Sequence, residues 1–338
     1  MSSARTRCRC ILGKTPAFGF TLVEIMIAMV IGLFLILGAS NIFVISRQSS
    51  NVDESIARLH ETARYAISVI ASDVLMANYW GLSKDGAAIN SGTALVAGTN
   101  ALACGPKYAI DFDRFIDASN NTYALPTATC GPYNSSAVAS ADTLTVRRAE
   151  ISRASPVASN KLQLCSARSG AQVIRGSDCA RPAEVHDLIV NAYYVGSQSS
   201  AGRTIPSLRR KVLGVASDGN GPGFKDEEVI TGVEDMQVQL GWDASASASA
   251  MRYVNPGNEA LATGQVVAVR IWLLVRTEIA EGAFQDSRIY SYGDRSAVNG
   301  TVSSLNAADA AGKAYAPRDG FRRLLIERTF FIRNAIGT

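Results

Sequence analysis

The sequence predicts an α+β protein, a long N-terminal helix packed on an antiparallel β-sheet body. Three observations predict it. The stretch "GFTLVEIMIAMVIGLFLILGAS" at 19–40 opens a run that carries no charge from position 25 to position 45. Apolar residues then recur at steps of three and four as far as position 74, and no proline interrupts residues 20–80. Beyond about position 140 the pattern changes to short apolar or alternating segments separated by turn residues.

The helix comes first. Its charge-free run of 21 residues is long enough, at about 1.5 Å per residue, to cross a hydrocarbon core of about 30 Å. Arg5, Arg7, Arg9 and Lys14 precede it and only Arg47 closely follows. That asymmetry places residues 1–19 in the cytoplasm and the body outside. A cleaved secretory signal, with Gly38, Ala39 and Ser40 at the cut, and a plain membrane anchor both fit this much. Neither explains Glu24, because an ionisable group inside an apolar segment costs about 2.5–3.5 kcal/mol when central and usually has a partner.

Past the membrane run, Val52, Ile56, Leu59, Ala63, Ile67, Ile70 and Val74 form one apolar stripe. Asp53, Glu54, Arg58, Glu61, Arg64 and Asp73 fall between them and read as a solvated face. The pattern predicts one helix of nearly 60 residues, from Phe20 to Trp80, apolar all round in its first half and amphipathic in its second. Gly81 is its first strong break.

The body follows. Residues 81–140 are rich in Gly, Ala, Ser and Asn and predict irregular structure with short strands. Strand patterns then appear at 143–148 (TLTVRR), 187–196 (DLIVNAYYVG), 236–242 (MQVQLGW), 266–277 (VVAVRIWLLVRT) and 323–334 (RLLIERTFFIRN). In the third, Met236, Val238, Leu240 and Trp242 share one face, with Gln237 and Gln239 on the other. The fourth is apolar on both faces, which suits a central strand covered by a helix. Turns are marked at 218–223, at the Ser/Ala run 244–250 and along 292–320. No internal repeat is present.

Composition sets limits on function. Apolar residues make up 47% and charged residues 18% of 338, which suits a globular chain with one strongly apolar segment. The net charge of +4 is supplied by the four basic residues before position 20, so the rest of the chain is neutral. It therefore lacks the basic excess of a nucleic-acid binder, and no nucleic-acid partner is expected. Cys8 and Cys10 lie in the basic leader. Cys104, Cys130, Cys165 and Cys179 remain, none in a C-x-x-C pair, and read as two disulfides in an oxidising compartment. Three pairings are open; Cys104–Cys130 with Cys165–Cys179 is preferred because both loops are short to close.

Catalytic signatures are absent from the sequence. His60 reads as a helix surface residue, and His186 beside Asp187 has no nucleophile context. No P-loop or H-E-x-x-H occurs, and "AAGKAY" at 310–315 lacks the residues a P-loop needs. The loop from Asp218 resembles a calcium loop at Asp218, Asn220 and Gly223, but Pro222 and Val229 stand at ligand positions, so it reads as a turn. The "DFD" at 111–113 reads as a surface pair. No enzyme activity, metal or cofactor is expected.

One motif accounts for Glu24. Gly19-Phe20-Thr21-Leu22-Val23-Glu24, after a basic leader and before an apolar helix, resembles the type IV prepilin cleavage motif. The resemblance implies that a prepilin peptidase cuts between Gly19 and Phe20, methylates the new Phe20 amine and leaves the apolar run in place. It also implies that Glu24 docks against the amine of a neighbouring subunit. A desolvated pair of that kind favours one axial register and penalises any other.

The body resembles the PilW group of minor pilins in "DTLTVRRAE" (142–150), "ITGVEDMQVQLGWD" (230–243), "VVAVRIWLLVRT" (266–277) and "RTFFIRN" (328–334). That resemblance implies a type IV pilin-like fold and a subunit that primes pilus assembly and sits at or near the tip. Implied partners are other minor pilins, the major pilin, a pilus-tip adhesin, the inner-membrane assembly platform and, before assembly, the lipid bilayer. The domain plan is then a cleaved leader at 1–19, an assembly helix at 20–45, an amphipathic helix at 46–80 and a β-rich periplasmic body at 81–338. A type II secretion pseudopilin is the near alternative, and a DNA- or ligand-binding pilin is the alternative of another class. Two departures from major pilins fit a subunit outside the filament shaft: the apolar run has no Pro, and no Cys follows Cys179.

Overall fold

The computed structural model describes residues 19–90, 103–105, 107–153, 156–177, 179, 183–245, 251–282, 284–295, 302–303 and 314–335. The basic leader, apart from Gly19, and the "AAGKAY" stretch, apart from its last two residues, lie outside them. The chain divides into two compact units, Met1–Glu54 and Ser55–Thr338.

Helix α1 is continuous from Leu22 to Leu75, 54 residues. Thr21 precedes it as an N-cap: its Oγ1 accepts the Glu24 N–H at 3.3 Å. Thr-x-x-Glu is the spacing of a capping box, and an acid in the first turn also complements the positive end of the helix dipole. The helix ends at Leu75, five residues before the sequence expectation of Trp80. The reason is Asn78, whose φ of 62° is left-handed and turns the chain back towards the sheet. There the Ala149 N–H donates to Tyr79 O at 2.6 Å.

In the second unit the strands form two main sheets, a division the sequence left open. The first has eight strands: β1 (Ile89–Asn90), β2 (Ile116–Ser119), β3 (Thr143–Arg153), β4 (Gln163–Ala167), β5 (Gly170–Ile174), β6 (Glu184–Gly196), β7 (Ser207–Val215) and β8 (Pro222–Thr231). Its order is β1-β5-β4-β6-β3-β2, with β7 on β6 and β8 on β7. Strand β6 is long enough to bond β3 along one edge while β4 and β7 share the other. The short helix α2 (Thr127–Cys130) lies between β2 and β3 in the chain.

The second sheet has the order β10-β9-β11-β14, from β9 (Val233–Asp243), β10 (Arg252–Val254), β11 (Gln265–Arg276) and β14 (Arg323–Phe331). A two-residue parallel pair joins β12 (Val302–Ser303) to β13 (Ala314–Tyr315). Gly232 is the pivot between the sheets. Its φ is +88°, and a Cβ there would stand 2.9 Å from Arg276 O, so only glycine fits.

One core joins these layers. Leu59, Ala63, Ala66, Ile67, Ile70 and Val74 of α1 pack with Leu144, Val190 and Leu208 of the first sheet and Met236, Val269 and Leu273 of the second. Strand β11 is indeed central and apolar on both faces. Only the face with Val269, Ile271, Leu273 and Val275 joins the core shared with the helix. Trp272 and Leu274 on the other face are covered by Tyr290, Tyr292 and Tyr315, the last two from the stretch 292–320 that reads as polar turn.

Charge order aligns β7 with β8. The register sets Arg209, Arg210 and Lys211 opposite Glu228, Glu227 and Asp226, and each pair closes an ion pair at 2.9–3.0 Å.

Candidate functional site

The residues singled out at the N-terminus lie at the start of α1 in the first unit. Phe20 is 77% exposed, and Glu24 is exposed one turn into the helix. The side chains from Leu22 to Ile45 find almost no cover in the chain itself. This helix has the length and composition to span a membrane, with a mean hydropathy of 2.6 over its most apolar window and none of that window buried. A surface this apolar is stable only against lipid or other protein.

Gly19 is informative by contrast with Gly232. A Cβ at Gly19 would meet nothing within 4 Å, and the same holds for Gly32 and Gly38. The fold therefore imposes no need for glycine at position 19, and any such need comes from another molecule.

Two disulfides close within the second unit: Cys104–Cys130 with Cα atoms 4.8 Å apart, and Cys165–Cys179 at 5.5 Å. Both separations lie in the ordinary range for a disulfide. The first packs with Leu125 and Ala192. The second ties β4 to the segment after β5. His60 is exposed on α1, whereas His186 is buried in β6 with Nδ1 2.8 Å from Glu150 O.

Several buried polar groups were misread or missed in the sequence. Asp73, expected on the solvated face, is 3% exposed. It accepts hydrogen bonds from Arg148, Asn191 and Tyr193. Gln237, on the strand face opposite Met236 and Val238, is buried and donates to Ser140 O at 3.0 Å; Gln239 donates to Asn255 Oδ1.

Asp235 and Arg295 form a fully buried pair at 2.6 Å. Burial and the adjacent Asp235 charge push the Tyr292 hydroxyl well up, and that hydroxyl donates to Asp235 Oδ2 at 2.6 Å. Asp142 accepts from the Asn121 and Val238 N–H groups, each at 2.7 Å. Burial pushes its carboxyl up to about 8, against the pull of those two hydrogen bonds. Among the described residues, no group of three or more His, Cys, Asp or Glu side chains is gathered as metal ligands.

Comparison with known proteins places both ends of this arrangement. Residues 16–40 match the prokaryotic N-terminal methylation motif, and residues 192–334 match the family Type IV Pilus-assembly protein W. Among solved structures, the type IV-like pilin TTHA1219 from Thermus thermophilus is similar at 17% identity, over 61% of this chain and 82% of that one, with a TM-score of 0.27. No curated protein sequence matches the chain. The methylation-motif match thus falls on the start of the uncovered apolar helix, and the pilus-assembly match runs from the end of strand β6 to just past strand β14. The pilus-assembly family match covers residues 192–334, less than half of the chain.

Proposed function

We propose that this chain is a minor pilin that primes type IV pilus assembly and sits at or near the pilus tip, beside other minor pilins and an adhesin. Before assembly it crosses the inner membrane once, with its N-terminus cytoplasmic and its body periplasmic. Prepilin peptidase cuts between Gly19 and Phe20 and methylates Phe20. Glu24 then pairs with the Phe20 amine of a neighbour, and the assembly platform draws the helix out of the bilayer into the pilus.

The observation that carries this reading is α1 itself. It begins at a capped motif and leaves its apolar first half uncovered, while residues 59–74 of the same helix are built into the core of the body. A free apolar helix continuous with a folded body suits a subunit that exchanges lipid for neighbouring helices. The glycine that the fold does not need at position 19 suits recognition by a peptidase.

Deleting the chain and restoring it on a plasmid tests the role. Loss of surface pili with normal type II secretion supports the proposal; loss of secretion with normal pili would make the chain a pseudopilin. Glu24→Gln separates docking from capping, because Gln keeps the capping-box geometry and loses the charge. Normal pilus numbers with Glu24→Gln would remove the charge-pair account.

A further inference from the structure

Eight buried side-chain polar atoms among the described residues lack a hydrogen-bond partner, and five belong to one locus: Asn120 Oδ1, Asn121 Oδ1, Ser140 Oγ, Gln237 Oε1 and Asp294 Oδ1. All five are oxygens. Known contacts tie them together. The Asn121 backbone N–H donates to Asp142 Oδ1 at 2.7 Å, and its Nδ2 donates to Asp294 Oδ2 at 2.5 Å. Gln237 donates to Ser140 O, and its Cβ stands 2.9 Å from where a Cβ on Gly293, the residue before Asp294, would lie. Ser140 and Gln237 are each only 1% exposed.

Asp142 and Asp294 make no close ion pair among the described residues; the nearby Arg295 guanidinium pairs with Asp235 at 2.6 Å and acts on Asp294 through its charge. Leaving buried oxygens unpaired is costly, and more so for charged groups. Bound water could satisfy the oxygens; a cation would satisfy them and pair with both carboxylates as well.

We propose that Asp142, Asp294, Asn120 and Asn121, with Ser140 and Gln237, form a site for a hard divalent cation, with Ca²⁺ the best fit. Two carboxylates balance its charge. Amide and hydroxyl oxygens plus water complete a shell of six to eight, which Ca²⁺ accepts in irregular geometry and Mg²⁺ does not. The ligands come from the turn after β2, the entry to β3, strand β9 and the turn at 293–295. The ion would therefore tie the two sheets together. The site is independent of the assembly role and stands or falls without it.

The test uses the full chain in detergent, stripped with EDTA and titrated calorimetrically with CaCl₂ and then with MgCl₂. Expected is saturable binding of one Ca²⁺ with Kd of about 10⁻⁴–10⁻³ M, the range of extracellular calcium modules. At tenfold excess over Kd it raises Tm by about 3 °C. Asp294→Asn and Asn120→Ala, both at half-buried positions, abolish the binding and the Tm rise. Asp218→Asn, in the exposed turn that resembles a calcium loop, leaves both intact. No binding of either cation, or binding unchanged in Asp294→Asn, would overturn the site and leave bound water as the occupant.

Discussion

Arg148 on β3 donates two hydrogen bonds, at 3.1 and 2.9 Å, to Oδ1 of Asp73 in the last turns of α1. The other oxygen of Asp73 accepts from Asn191 and from the Tyr193 hydroxyl, both at 2.6 Å. Four donors thus hold a carboxylate whose side chain is 4% exposed. The apolar stripe would let the helix slide or rotate by small steps; this cluster admits one position. It fixes the last turns of α1 against strands β3 and β6 of the first sheet.

Removing Asp73 alone strands a nearly buried guanidinium. Asp73→Ala should destabilise the chain by about 3–5 kcal/mol, read by denaturant unfolding. Asp73→Leu with Arg148→Met should recover part of that loss, because an apolar pair replaces the desolvated charges while Asn191 and Tyr193 still lose their acceptor. A double variant as weak as the single would show that the charges contribute more than position.

The β7–β8 ladder predicts a contrast between adjacent arginines. Arg210 and Glu227 are 31% and 46% exposed in their side chains, so Arg210→Ala should cost no more than about 1 kcal/mol. The Arg209 side chain is 2% exposed and contacts both Asp226 and Glu228. Arg209→Ala should cost about 3 kcal/mol or more, since two carboxylates lose a buried partner. Comparable losses in the two variants would contradict this division.

Gly232→Ala should destabilise by about 1–3 kcal/mol, through its left-handed φ and the close approach to Arg276 O. Gly19→Ala should leave unfolding unchanged, since nothing stands near its Cβ. Thermal unfolding of the two variants side by side checks the pair.

Each disulfide closes a short loop, 26 residues for Cys104–Cys130 and 14 for Cys165–Cys179. Chain-entropy arguments give about 3.5 and about 3 kcal/mol respectively. Paired Cys→Ser variants should therefore lose similar stability. Loss of one bridge without effect would mean that its loop is held by other contacts.

Local chemistry made the helix legible: a charge-free run, then apolar residues at steps of three and four. Its capped start was legible in Thr21 and Glu24. Its end was not, because the left-handed turn at Asn78 is set by partners as distant as Asn334, whose backbone oxygen accepts from Asn78 Nδ2. Asp73 was misread because an acid in a helix pattern suggests solvent. Yet it stands three residues after Ile70, on the buried arc, and that spacing was the available signal. The β7–β8 pairing also left one, three basic residues against three acidic in antiparallel order. The split into two sheets left only Gly232, one residue among 28 glycines. Tyr292 and Tyr315, which cover Trp272, come from a stretch whose composition reads as turn.

The N-terminal mass of the chain, purified from cells with an intact envelope, tests the central claim most directly. The account predicts a mature chain that begins at N-methylated Phe20, and an uncut chain when Gly19 is replaced by a bulky residue. A wild-type chain that still begins at Met1, or that begins near Asn41, would contradict it.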